Sequence, residues 1–121
     1  MAKFDMRGYA KSAGQSVVLH ESDILFNQGD LGDCLYIVQS GLVELIIHDR
    51  VIDVCGPNDV IGLMAVLDDT SRTSMARVKE AAELSRIDKR TFRYMVDEVP
   101  FFALYMMDAM ARRLREVEHG M

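Results

Sequence analysis

The sequence has no surplus of positive charge. Fourteen Lys and Arg stand against 19 Asp and Glu, a formal net charge of −5. Proteins that bind nucleic acid as their main partner carry the opposite balance, so direct DNA binding is not expected. Long hydrophobic runs are missing too. The longest, Val60 to Leu67, is far shorter than the roughly 20 residues a membrane helix needs. The opening stretch MAKFDMRGYAKSAGQ has neither the apolar core nor the small-residue cleavage pattern of a secretory signal. The expectation is a soluble, cytoplasmic protein with no membrane partner.

Reactive groups are equally sparse. The two cysteines, Cys34 and Cys55, lie 21 positions apart inside apolar, strand-like runs, with no CxxC spacing. They read as buried thiols rather than as a disulfide or redox pair. His20, His48 and His119 share no short ligand spacing, so no metal is expected. No GxSxG, P-loop or GxGxxG pattern occurs, and no nucleophile sits beside a base. Neither an enzyme nor a conventional cofactor is expected.

What the chain does have is a core. Half of its 121 residues are hydrophobic and 27% are charged, enough for one domain over 1–121 that folds without staples. Three textures follow one another. Residues 1–14 are polar, with isolated Phe4, Met6 and Tyr9, and read as a docking helix or a loose arm. Residues 15–87 hold short β-branched and apolar runs: Ser16–His20, Ile24–Phe26, Leu35–Gln39, Leu42–His48, Val51–Cys55, Thr73–Val78 and Glu83–Ile87. Gly, Asp, Asn and Pro separate them, which predicts an antiparallel sandwich or barrel. The unbroken run Leu42–Ile47 predicts a strand covered on both faces. Residues 88–121 turn helical. Asp88 is a natural N-cap, Phe92, Met95, Val96 and Val99 follow at helical spacing, Pro100 breaks the pattern, and Gly120 stops the last helix. The fold class is α+β.

The last helix carries a second pattern. Ala103, Met107, Met110, Leu114 and Val117 step by 4, 3, 4 and 3, a heptad seam of about two repeats. One reading is a helix packed on its own barrel. The other is a homodimer interface, with Phe101, Phe102, Tyr105 and Met106 covering the barrel from the opposite side.

The segment from Gly56 to Ser74 holds the chemistry. Gly62 lets backbone approach a ligand closely. A short helix starting near Leu63 would present free N–H groups. Arg72 offers a forked, permanent charge suited to phosphate, and Thr73 and Ser74 add hydroxyls. Together they make a candidate anion cradle.

Here the chain resembles the cyclic nucleotide-binding domains of the catabolite-activator and kinase-regulatory type. The resemblance runs through Ile24-Leu25-Phe26-Asn27-Gln28-Gly29-Asp30, Gly32-Asp33-Cys34-Leu35-Tyr36-Ile37-Val38-Gln39-Ser40-Gly41-Leu42-Val43 and Arg113-Leu114-Arg115. Gly29, Gly32, Gly41, Gly56 and Gly62 fall at its turns. It implies a jelly-roll-like antiparallel β-roll of about eight strands, with an N-terminal arm and C-terminal lid helices. It also implies a phosphate-binding cassette over 61–74. Ile61, Gly62, Leu63, Met64 and Ala65 would form its first part, and Arg72, Thr73 and Ser74 its second. Arg72 would hold the phosphate oxygens and backbone N–H groups near Met64 and Ala65 the rest. The ligand would be cAMP or cGMP, with Thr73 keeping cGMP in view. An effector protein, not identifiable from sequence, would receive the signal. The family's DNA-reading segment would begin where this chain ends, at Met121.

Leu63 departs from the pattern. It stands where the resemblance implies the Glu that accepts from the ribose 2′-hydroxyl. A lost hydrogen bond to a charged group costs about 1.5–3 kcal/mol, about ten- to more than a hundredfold in affinity. The alternative is therefore a degenerate domain that has lost its ligand and serves in dimerisation or protein docking. Ile61 for Phe is a milder change. Asn58 for Gly is tolerable because Asn enters the left-handed region readily.

Overall fold

The structure is a computed structural model that describes residues 4–119, with backbone alone for 116–119. The elements in chain order are α1 (Arg7–Ala13), β1 (Gln15–Leu19), β2 (Ile24–Phe26), β3 (Cys34–Ile47), β4 (Arg50–Cys55), β5 (Val60–Ile61), α2 (Leu63–Asp68), β6 (Met75–Asp88), α3 (Lys89–Glu98) and α4 (Phe102–His119). The β-roll with flanking helices is the architecture expected.

Its strand count differs from the expected eight. Six strands form one antiparallel sheet ordered β1-β6-β3-β4, with β2 on β6 and β5 on β3. Leu35–Gln39 and Leu42–His48 are one strand, as are Thr73–Val78 and Glu83–Ile87. Each bends through irregularities in the β3–β6 register, between Val38 and Val43. Extra residues bend a strand without ending its pairing. Gly41 sits at this corner with φ +84, and a Cβ there would meet the Ala81 carbonyl oxygen at 2.3 Å. The β3–β4 hairpin turns on His48 and Asp49, with φ 50 and 62. Two consecutive positive φ values match the twist of the flanking strands.

Alternation along β3 divides the core. Leu35 and Ile37 face the helices, beside Val60, Leu63, Met95, Phe102, Tyr105 and Met106. Cys34, Tyr36 and Val38 face the interior of the roll, beside Phe26, Val43, Cys55, Ile61 and Val78. The fully enclosed stretch of β3 is therefore Cys34–Val38, whereas Leu42–Ile47 is buried and half-buried by turns. Both cysteines are free, buried thiols. Burial pushes the Cys55 thiol up to about 12.

The arm docks as a helix. Met6 and Ala10 are buried against the helix-side core, while Tyr9 stays exposed. Asp88 caps α3 by accepting from Thr91 N–H at 2.7 Å. Met95 is buried and Phe92 and Val99 pack beside it, but Val96 is exposed. The last helix begins at Phe102, two residues after Pro100. Gly120 lies outside the described residues.

Candidate functional site

The site begins at Gly62. The chain leaves β5, takes φ +84 at Gly62, and enters α2 at Leu63 with no side-chain cap. A Cβ at Gly62 would lie 2.2 Å from Arg72 Nη1. Only glycine serves here, both for the left-handed backbone and for the guanidinium lying against it.

Arg72 is held inside the protein. It is 4% exposed. Its Nη1 donates to Gly62 O at 3.2 Å and its Nη2 to Cys34 O at 2.7 Å, with Cys34 Sγ at 3.4 Å. The guanidinium carbon stacks over the Phe26 ring at 4.3 Å from its centroid, with Tyr36 at 5.9 Å. Burial, first of all, pushes the Tyr36 phenol up to about 12. None of the ion pairs among the described residues involves Arg72, and its buried Nε–H has no hydrogen-bond partner. A desolvated cation without a countercharge is costly. Carbonyl oxygens and an aromatic face offset only part of that.

Arg72 opens onto a cavity of about 370 Å³, within the usual ~300–1,000 Å³ range of small-molecule sites. Gly62, Leu63, Met64, Ala65, Arg72, Thr73 and Ser74 all line it. Ile61 does not. In β5 its side chain points the other way from that of Val60, and it is fully buried inside the roll. Sequence reasoning missed other walls: Phe26, Leu45, Val60, Ser71 and, from α4, Ala109 and Arg113. Phe26 and Arg113 lie in stretches that carry the family resemblance. Val60 and Ser71 lie inside the Gly56–Ser74 segment, whereas Leu45 and Ala109 have no local signal, because only the closing of the roll and the return of α4 bring them here.

The residues of the helix seam are divided between two surroundings. Met110 and Leu114 line the cavity, and Met110 packs on the helix-side core. Ala103 is half-buried. Val117 lies outside the residues whose side chains are described. The outward apolar stripe is instead Leu104, Met107 and Leu114, 44%, 53% and 64% exposed, with half-buried Ala111 between the last two. The shift arises because Phe102, Tyr105, Met106 and Ala109 claim the inner face. Phe101, expected on the barrel, is exposed and stacks on Phe4 with centroids 6.0 Å apart.

Charged groups fasten α4 at the cavity rim. Arg113 donates to Val60 O at 3.3 Å and lies 3.6 Å from Asp53. Arg112 lies 3.7 Å from Asp59. No group of three or more His, Cys, Asp or Glu converges among the described residues, and none of their helices is long and apolar enough to cross a membrane.

A family profile described as the cyclic nucleotide-binding domain matches residues 16–99. The chain belongs to that family. It is similar to the cyclic AMP receptor protein of Thermus thermophilus, 33% identical over 99 residues, covering 78% of this chain and 46% of that protein. It is also similar to the cAMP-dependent protein kinase regulatory subunit of Eremothecium gossypii, 33% identical over 69 residues, covering 57% of this chain and 15% of that one. The crystal structure of Thermus thermophilus catabolite activator protein superposes with a TM-score of 0.80 at 30% identity, over 93% of this chain and 55% of that one. The chain thus spans about half the length of the receptor proteins it matches. These two relatives are named as a receptor protein and as a kinase regulatory subunit.

Proposed function

We propose that this chain is a non-catalytic regulatory module that takes a small anion into the cavity beside Arg72 and signals through α4. A cyclic nucleotide, cAMP or cGMP, is the first candidate. One observation carries the reading. Arg72 is buried with no carboxylate partner among the described residues and an unused Nε–H, and it lines a cavity sized for a small molecule. An anion supplies the missing countercharge. Because Ala109, Met110, Arg113 and Leu114 of α4 form one wall, an occupant favours one position of that helix over another. That differential stability is the signal.

The relatives' names support the ligand class: one is a cyclic AMP receptor, another a cAMP-dependent kinase regulatory subunit. The module acts through an effector protein in the cytoplasm and, with a net charge of −5, does not itself read DNA. A thermal-shift titration with millimolar cAMP and cGMP tests the reading, since any ligand of the native state raises Tm. A flat response to both refutes nucleotide sensing.

The exposed stripe Leu104–Met107–Leu114 favours a second, compatible reading, self-association through α4. If nucleotide sensing fails, this stripe supports the alternative of a degenerate docking domain.

A further inference from the structure

The chemistry of the cavity wall bears on the body of the ligand as well as its anionic head. Among the described residues, its lining contains no Asp, Glu, Asn, Gln, His or Tyr. Among the described residues of the lining, the charged side chains are Arg72 and Arg113, both donors without acceptors. Side-chain hydroxyls come solely from Ser71, Thr73 and Ser74, the residues flanking Arg72. The rest of the wall is aliphatic, thioether or aromatic. Leu63 and Val60 belong at the same time to the helix-side core, so their positions are fixed by packing and cannot turn aside to admit a polar partner.

Such a cavity sorts ligands by what lies away from the anion. A phosphate meets the Arg72 edge of the wall and the neighbouring hydroxyls. A hydroxyl elsewhere on the ligand, beside Leu63, Val60, Ala65 or Met110, meets no side-chain hydrogen-bond partner among them. An aryl or alkyl body meets surfaces that gain from its burial. Resting on the anion-sensing reading above, but narrowing its ligand away from cAMP and cGMP because their ribose carries a 2′-hydroxyl, we infer that the cavity selects an organic phosphate whose body is aromatic or aliphatic and free of hydroxyls, and that Leu63 enforces this choice.

The test uses the unmodified chain and a series with one head and varied bodies: inorganic phosphate, ribose 5-phosphate, phenyl phosphate, hexyl phosphate and cAMP, measured by calorimetric titration and thermal shift. Phenyl or hexyl phosphate is expected to bind at least tenfold more tightly than ribose 5-phosphate, and more tightly than inorganic phosphate. The stronger of the two identifies an aryl or an alkyl body. Ribose 5-phosphate or inorganic phosphate binding as well as both overturns the inference while leaving anion sensing intact. No binding by any of the five overturns both. Leu63→Gln, which places a donor and an acceptor in the wall, is expected to narrow the gap between ribose 5-phosphate and phenyl phosphate at least threefold. An unchanged gap in a folded variant removes Leu63 from the inference, and the series on the unmodified chain decides the rest if the variant does not fold.

Discussion

The Tyr105 hydroxyl donates to the backbone carbonyl of Asn58 at 2.6 Å. Tyr105 is 1% exposed, and burial raises its phenol well above the ordinary range. This bond ties α4 to the turn that leads into β5 and the cavity. The same Asn58 reaches the arm: its Oδ1 accepts from Met6 N–H at 2.9 Å and its Nδ2 donates to Phe4 O at 2.8 Å. With φ 71, Asn58 supplies the left-handed conformation and the side-chain bonds together. Glycine in its place would supply only the first.

Asn58→Gly separates those roles. The turn survives, because glycine accepts a positive φ, but both bonds to the arm are lost. Hydrogen–deuterium exchange is expected to show α1 losing protection while β3 and β6 keep theirs. Asn58→Ala loses the same bonds and adds backbone strain of about 1–2 kcal/mol, so its urea midpoint should fall below that of the glycine variant. Equal midpoints would count against strain at this turn.

Tyr105→Phe leaves the Asn58 carbonyl buried without its donor. The expected loss is about 1–3 kcal/mol in chemical denaturation, with the fold retained.

Gly62→Ala drives a methyl group into the Arg72 guanidinium and forces a positive φ on alanine. Arg72 must leave its seat on Gly62 O. Titration with the tightest-binding phosphate should show at least a tenfold loss of affinity, with the circular dichroism of the sheet preserved. Undiminished binding would remove Arg72 from the site.

Alkali should weaken the fold before it breaks peptide-level structure. Cys55 and Tyr36 are both raised to about 12, from 9.0 and 10.0, and Tyr105 is raised as well. Their stabilising effect is complete below the unfolded values. Above pH 9 the unfolded chain releases these protons while the native chain keeps them, so stability falls as pH rises toward 12. Denaturant midpoints measured between pH 7 and 11 should be flat at first and decline beyond about pH 9.

Met107→Glu combined with Leu114→Glu places like charges on the outward stripe of α4. Light scattering after gel filtration should show a dimer for the unmodified chain and a monomer for the double variant. A monomer in both would retire self-association, and a dimer in both would move the interface elsewhere.

Much of this was legible in the sequence because it is local. The N-cap at Asp88, the glycine before α2 and the turn residues each follow from a few neighbouring side chains, and seven of the eight residues of the cassette motif line the cavity. The sequence alone also determined the family, through motifs whose spacing survives without coordinates. Tertiary structure decided what depends on distant partners. Two pairs of strand-like runs became two bent strands because pairing continued through the bulges. Ile61 left the site because register sends alternate side chains to opposite faces. The seam on α4 rotated because Phe102, Tyr105 and Met106 had a core to fill. The buried charge of Arg72 was visible as a residue, but its carbonyl partners, its seat on Phe26 and its missing countercharge exist only once residues 26, 34, 62 and 72 are brought together. Desolvation is a property of that assembly and not of any one segment.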